Sequence, residues 1–182
     1  MKLKKYLFAL FFISNVVSAD LDPYLILSLQ GTTGQNDLKS SSSLLANIGL
    51  GYETNFGIYF DWVLGVNSEA IADVIPDERF IDDNQQIGQM DLVTGYKLSV
   101  SKRSYLKLGI GIESAIFADN CAYNYAEGRT ICDKKYEHGP TYKVGFYFSP
   151  SSKTMFGLEF NRDELSAIRK YNGLSVVVNG KF

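Results

Sequence analysis

Apolar and polar residues alternate along most of this chain. Between Phe56 and Asn67, every second residue from Phe56 to Val66 is aromatic or aliphatic, and glycine or polar residues fill most of the positions between. The chain ends with the same period, from Leu174 to Phe182. A period of two is typical of a β-strand whose two faces meet different surroundings.

This period predicts eight strands, so the chain is all-β. We place them at about Pro23–Gly31, Ser42–Glu53, Phe56–Asn67, Ile87–Leu98, Tyr105–Phe117, Gly139–Ser149, Thr154–Asp163 and a final segment ending at Phe182.

The connections between these segments alternate in length. Long polar stretches follow the first, third and fifth segments, as in Thr32–Ser41 and Ser68–Gln86. Short turns follow the second, fourth and sixth, and a connection of medium length, Glu164–Lys170, precedes the last. Alternation of this kind is typical of an antiparallel up-and-down β-barrel in which one rim carries short turns and the other carries loops. An even number of strands places both chain ends at the short-turn rim.

The polar faces of the segments carry charges of both signs. In a soluble barrel the apolar face would point inward, whereas in a membrane barrel it would point outward, and the period alone does not distinguish the two. The charged residues of the polar faces are Glu53, Asp61, Asp91, Lys97, Lys107, Glu113, Lys143, Glu159 and Lys181.

Three further observations favour the membrane barrel. The polar faces are rich in glycine, which weakens an exposed strand but relieves crowding inside a narrow barrel of eight strands. The charges on these faces nearly balance, which suits an interior ion-pair network. Aromatic residues of the apolar face cluster near the turns, where a membrane barrel meets the interface. These aromatic residues include Tyr52, Phe56, Tyr96, Phe148, Phe156 and Phe182.

The first residues of the chain predict export. Lys2, Lys4 and Lys5 precede an apolar run, Tyr6–Val17, and small residues follow before Asp20. We therefore expect a cleaved signal peptide at residues 1–19 and one β-barrel domain at residues 20–182. Removing the three lysines of this segment shifts the formal net charge from −2 to −5, which argues against nucleic acid as a partner.

The chain resembles small outer-membrane β-barrel proteins of the OmpA transmembrane-domain and OmpX-like class. The resemblance covers residues 20–182 and rests on the eight alternating segments, on glycine-rich strands such as Leu50–Ile58, and on the ending Val178–Phe182. It implies a location in the Gram-negative outer membrane, contact with outer-membrane lipids, and recognition of Phe182 by the barrel-assembly machinery.

The same resemblance implies a non-enzymatic monomer without a cofactor or metal. Its expected role is in outer-membrane structure, adhesion or the binding of a host or surface ligand through the loops. Three alternatives stay open: a narrow porin-like channel, a lipid-modifying enzyme, and a soluble periplasmic ligand-binding barrel. Because eight strands leave room for little beyond side chains, we do not expect a general diffusion pore.

Cys121 and Cys132 both fall in the long connection between the fifth and sixth segments. An exported chain meets oxidising conditions, so an even number of cysteines in one connection predicts a disulfide. A metal site built on these cysteines and His138 would lack further ligands at suitable spacing.

His138 is the single histidine of the chain. A barrel-type lipid hydrolase needs histidine beside serine and an acidic residue, and no serine lies two residues from His138, so we interpret it as a polar loop residue. The acidic connection Ser68–Gln86 could bind a divalent cation, but its spacing matches no EF-hand loop, and a solvated surface loop is the preferred interpretation.

Overall fold

The computed structural model describes residues 21–36, 39–67, 85–124, 129–166 and 170–182. In these residues the chain forms one closed barrel of eight strands. They are β1 (Leu21–Asn36), β2 (Lys39–Thr54), β3 (Ile58–Asn67), β4 (Gln86–Ser99), β5 (Ser104–Asn124), β6 (Arg129–Phe148), β7 (Thr154–Glu164) and β8 (Lys170–Lys181). Every strand is antiparallel to its sequence neighbours, and β8 closes on β1. The predicted eight-stranded antiparallel up-and-down β-barrel is confirmed.

Short turns lie together at one end of the barrel, which we call the short-turn rim. They are residues 55–57, 100–103 and 149–153. Leu21 pairs with Thr54, and Tyr24 pairs with Lys181, so β1 begins and β8 ends at this rim. We call the opposite end the loop rim.

The turn between β2 and β3 differs from the sequence prediction. Phe56 lies in the turn rather than in the third strand, which begins at Ile58. Gly57 has a φ of 85°, a left-handed conformation that side-chain-bearing residues rarely adopt. Its N–H donates to the Thr54 carbonyl at 2.9 Å, and the Thr54 hydroxyl accepts from the Ile58 N–H at 3.0 Å.

Two of the predicted long connections are wrong, because their polar residues continue the strands. β1 extends to Asn36 and β2 begins at Lys39, which leaves residues 37–38 between them instead of Thr32–Ser41. β5 extends to Asn124 and β6 begins at Arg129, so most of the long connection predicted between the fifth and sixth segments is a two-stranded ladder. In both regions the backbone pairing of the strands continues through residues that the sequence pattern assigned to connections.

The outer face of the barrel is apolar and the inner face is polar. Leu29, Trp62 and Val176 point outward and are 57%, 45% and 58% exposed, whereas Asp91 is 0% and Lys107 2% exposed. The predicted orientation of the two faces, apolar outward and polar inward, is confirmed. The aromatic residues predicted near the turns also lie on the outer surface: Tyr52, Phe56, Tyr96, Phe148, Phe156 and Phe182.

No helix in the described ranges is long and apolar enough to cross a bilayer.

Candidate functional site

Ion pairs in the barrel interior join strands that are not neighbours. Lys97 of β4 lies 2.5 Å from Glu53 of β2. Lys107 of β5 lies 2.9 Å from Asp61 of β3, and Lys143 of β6 lies 2.6 Å from Asp91 of β4. Each pair therefore spans one intervening strand, and each lies one strand further around the barrel than the one before.

Like charges also face each other on adjacent strands. Lys97 is the register partner of Lys107, and Asp91 is the register partner of Glu113. Directly opposed like charges destabilise a sheet. The two lysines bind different carboxylates, Lys97 to Glu53 on β2 and Lys107 to Asp61 on β3.

Asp91 and Glu113 are separated in the same way. Asp91 binds Lys143, while Glu113 accepts a hydrogen bond from the Gln86 amide at 3.0 Å. The members of both like-charged pairs thus have different partners in the interior.

Three tyrosine rings surround the Lys107 ammonium. Its Nζ lies 4.0 Å from the Tyr59 ring centre, 5.1 Å from that of Tyr24 and 5.3 Å from that of Tyr147. It also donates to the Tyr24 hydroxyl at 3.1 Å, and that hydroxyl donates to Asp61. A cation over an aromatic face is attracted by the ring quadrupole, and more strongly when water is excluded. We call Lys107, Asp61, Tyr24, Tyr59 and Tyr147 the lysine cage.

The remaining predicted interior charges lie on either side of this cage. Glu159 accepts a hydrogen bond from the Tyr147 hydroxyl. Lys181, at the short-turn rim, lies 3.8 Å from Glu53 and 3.4 Å from Asp22. All the charged residues predicted for the interior therefore have a polar partner there.

Nearer the loop rim the interior contains amide side chains. Gln30 Oε1 accepts hydrogen bonds from Gln89 at 3.0 Å and from Asn47 at 3.1 Å. Gln86 donates to Gln89 Oε1 at 3.1 Å, in addition to its bond with Glu113. Above this layer, Phe117 and Tyr171 stack with ring centroids 5.2 Å apart. The interior of the described barrel is thus occupied by side chains from the short-turn rim to the loop rim.

Glycines make room for the buried tyrosines. A Cβ atom added at Gly51 would lie 2.2 Å from the Tyr24 ring, and one added at Gly157 would lie 2.4 Å from the Tyr147 ring. Contacts below 3.0 Å require a neighbour to move. The predicted relief of crowding by glycine is therefore seen at specific tyrosines.

Sequence reasoning placed the charges on the inner face but missed the tyrosines as their partners. Tyr24, Tyr59 and Tyr147 share the parity of the charged residues on their strands. This shared parity was the sequence signal that these tyrosines point into the interior. It could not show which lysine the three rings would surround, because the three tyrosines lie on β1, β3 and β6.

The β5–β6 hairpin projects beyond its neighbours at the loop rim. β4 pairs with β5 only as far as Phe117, and β7 pairs with β6 only from Thr141 onward. In the described chain, the part of the hairpin from Asp119 to Asn124 therefore has only β6 as a strand partner. At about 3.4 Å per residue, this part extends roughly 20 Å along the strand.

Cys121 and Cys132 form a disulfide within this hairpin. The predicted bond is present, but its location differs from the prediction, because the cysteines lie in paired strands instead of a loop. Residues Ile131, Lys134 and Tyr136 of β6 are exposed, and Tyr136 is 69% exposed.

His138 also lies in a strand instead of a loop. It is exposed and is the register partner of Ser114 on β5. The serine that sequence spacing failed to find two residues away is therefore opposite His138 on the neighbouring strand. Among the described residues, no three His, Cys, Asp or Glu side chains are grouped as metal ligands.

Other predicted features lie outside the described residues. These are the signal peptide at residues 1–19 and most of the acidic connection, residues 68–84. Phe182 follows the end of β8 and is 79% exposed; its role as an assembly signal stays a prediction.

The fold is that of small outer-membrane barrels. No protein-family model and no curated protein matches the sequence. Among solved structures, Ail, the attachment invasion locus protein of Yersinia pestis, in complex with the heparin analogue sucrose octasulfate, is similar with a TM-score of 0.61 and 11% identity. That match covers 90% of this chain and 99% of Ail.

Two further barrels are similar over most of their length. Neisserial surface protein A has a TM-score of 0.64 and 11% identity, covering 90% of this chain and 99% of that one. The N-terminal barrel domain of Pseudomonas aeruginosa OprF has a TM-score of 0.55 and 8% identity, covering 86% and 97%. At these identities the likeness defines the fold, and the resemblance predicted from the sequence is confirmed at that level.

Proposed function

We propose that this protein is a non-enzymatic integral protein of the Gram-negative outer membrane that binds a surface ligand through its projecting β5–β6 hairpin. Export through a signal peptide at residues 1–19 and assembly through a terminal signal at Phe182 belong to the same proposal. The observation that carries it is the sidedness of the barrel, apolar outside and charged inside.

Sidedness of this kind suits a bilayer and not water. Leu, Ile, Val and aromatic side chains cover the outer face between the rims, and each strand has partners on both sides, so no backbone edge within the barrel would meet lipid. A closed barrel is the β-structure that can cross a membrane, because it satisfies every backbone group internally.

The packed interior supports a structural or surface role over a channel. Lys107 is 2% exposed and the lysine cage occupies the axis. The ion pairs lock Glu53, Asp61 and Asp91 to lysines across intervening strands. An ion passing through would have to break several of these contacts in succession.

The hairpin is the part of the described chain best suited to contact a ligand. It projects past the neighbouring strands, the disulfide holds its two strands together, and Ile131, Lys134 and Tyr136 are exposed on it. Aromatic residues such as tyrosine are enriched at recognition surfaces. A rigid surface loses little entropy when it binds.

Fractionation with a heat-modifiability gel tests the membrane placement. We expect the protein in the outer-membrane fraction, with a different gel mobility before and after boiling. Release as a water-compatible monomer by detergent-free washing would contradict the proposal and support a soluble barrel. Stepwise conductance in planar bilayers would support a channel, and altered lipid A in a deletion strain would support an enzyme.

Shortening the hairpin tests the surface role. Replacing residues 119–132 by a two-residue turn, together with Lys134→Gln and Tyr136→Ala, removes the disulfide and the exposed side chains named above while leaving the closed barrel. We expect unchanged heat modifiability and reduced attachment of cells to host-matrix surfaces. Lys153→Gln, in a turn at the opposite rim, is the control; equal attachment by both variants and the unaltered protein would contradict this role.

A further inference from the structure

We propose that the outer face of β2–β5 holds one anionic diacyl phospholipid. One acyl chain lies in a hollow over Thr94, and the phosphate lies at Lys102 and Arg103 in the turn between β4 and β5. This inference rests on the proposed placement in a membrane and adds a ligand that the proposed function does not include.

The hollow is an interruption of the apolar outer face. Thr94 is the register partner of Phe60 on β3 and of Ile110 on β5, both much larger. Trp62 and Leu92 continue the wall toward the loop rim. A short residue among long ones leaves a concave apolar surface, and uncovered side chains there lack the contacts that a close-packed neighbour would supply.

The floor of the hollow is chemically inert. The Thr94 hydroxyl donates to the Tyr59 carbonyl at 3.1 Å. The Thr94 hydroxyl is thus satisfied by the barrel itself, and most of the surrounding side chains are aromatic or aliphatic. An apolar chain without hydrogen-bonding groups is the ligand that such a surface favours.

Below the hollow, the turn between β4 and β5 carries two adjacent cations. Lys102 and Arg103 are exposed, and neither forms an ion pair with another described residue. The turn is ordered by Ser101, whose hydroxyl accepts from the Ser104 N–H at 3.1 Å and the Arg103 N–H at 3.3 Å. Arginine and lysine together bind phosphate oxygens, the arginine in a bidentate manner.

The separation of hollow and turn fits one lipid leaflet. Thr94 precedes Ser99, the last residue of β4, by a distance of roughly 17 Å along the strand, or about 13 Å along the barrel axis at a tilt of ~40°. This is about half of the apolar band of ~25 Å in such barrels. A phosphate at the turn therefore places a fatty chain of ordinary length at Thr94.

Charge favours a lipid over a second copy of this chain. Two copies that met through their hollows would insert with the same orientation and bring both pairs of Lys102 and Arg103 to the same rim. Like charges would then approach each other at the contact. An anionic phospholipid instead neutralises the pair. The turn between β6 and β7 carries a single cation, Lys153, and the turn between β2 and β3 carries none.

Native mass spectrometry of the full mature protein in detergent micelles tests the site, with phosphatidylglycerol and phosphatidylethanolamine as probes. We expect one phosphatidylglycerol to be retained preferentially. Replacing both cations (Lys102→Gln with Arg103→Gln) should reduce this retention by roughly fivefold for each cation removed. Thr94→Leu, which fills the hollow, should reduce retention of both lipids.

Matched controls change the same chemistry elsewhere. Lys153→Gln removes a cation from another turn of the same rim, and Val144→Leu adds a methylene to the outer face of β6; both should retain lipid as the unaltered protein does. Equal lipid retention in all variants would overturn the proposal. So would a dimer, seen as a doubled mass, that Thr94→Leu abolishes while lipid retention stays the same. Heat modifiability of every variant separates these outcomes from failure of the proposed function, since a chain that forms no membrane barrel shows none.

Discussion

Lys107 on β5 and Asp61 on β3 form an ion pair across β4, with 2.9 Å between Nζ and Oδ2. Because these strands are not hydrogen-bonded to each other, the pair forms only when β4 lies between them at the correct register. It therefore depends on barrel curvature as well as on local strand pairing. The ion pairs of Lys97 and Lys143 have the same property.

Breaking this pair should destabilise the barrel. Lys107→Met leaves the partly buried Asp61 without its cation, and we expect the free energy of unfolding to fall by about 3 kcal/mol, the lower end of the range for buried pairs. Urea titration of protein refolded in lipid vesicles measures the change. Lys153→Met, at an exposed site in the turn between β6 and β7, is the control.

A second variant separates the charge from the packing. Combining Lys107→Met with Asp61→Asn removes the unpaired carboxylate, so part of the lost stability should return. If the double variant loses as much unfolding free energy as Lys107→Met and Asp61→Asn lose together, or more, the ion pair is not the reason for the loss.

Replacing the glycine that packs against Tyr24 should destabilise the barrel more than replacing a glycine on the outer face. Gly51→Ala places a Cβ 2.2 Å from the Tyr24 ring, and overpacking of this kind costs about 1–3 kcal/mol of unfolding free energy. Gly31→Ala, on the neighbouring strand β1, meets nothing within 4 Å and is the matched control. Equal stability of the two variants in the same urea titration would show that Tyr24 does not pack as described.

Loss of the disulfide should loosen the hairpin and leave the barrel intact. Cys121→Ser with Cys132→Ser removes a restraint on a short loop, worth roughly 3 kcal/mol in the chain-entropy treatment. Limited proteolysis of intact cells should cut the variant hairpin faster, with heat modifiability unchanged. Mass spectrometry of the untreated, unaltered protein should find the bond; two alkylatable thiols would exclude it.

The Ser114–His138 pair should not be catalytic. Their register brings a serine opposite a histidine on the outer face, so the enzyme alternative deserves a direct measurement. We expect the same lipid A composition, by mass spectrometry of extracts, in strains that carry His138→Ala, Ser114→Ala or the unaltered protein. A change in acylation in both variants, but not in Tyr136→Ala, would make this protein a lipid-modifying enzyme.

The sequence by itself determined the number of strands and the two faces of each. Alternation is a local property of extended backbone, so Phe56–Asn67 and Leu174–Phe182 revealed it without reference to the rest of the chain. The nine charged residues of the polar faces could be assigned to the interior on the same ground, together with the glycines among them.

Only the tertiary structure decided which of these residues meet. From the sequence, Lys107 could pair with any interior carboxylate. It binds Asp61, surrounded by three tyrosines from separate strands, because the register of each strand pair around the barrel brings these residues together. The length of the β5–β6 hairpin was also invisible, because its upper residues pair through the backbone and no core imposes a period on them. Local periodicity reports which face a residue occupies, whereas closure of the sheet determines its neighbours.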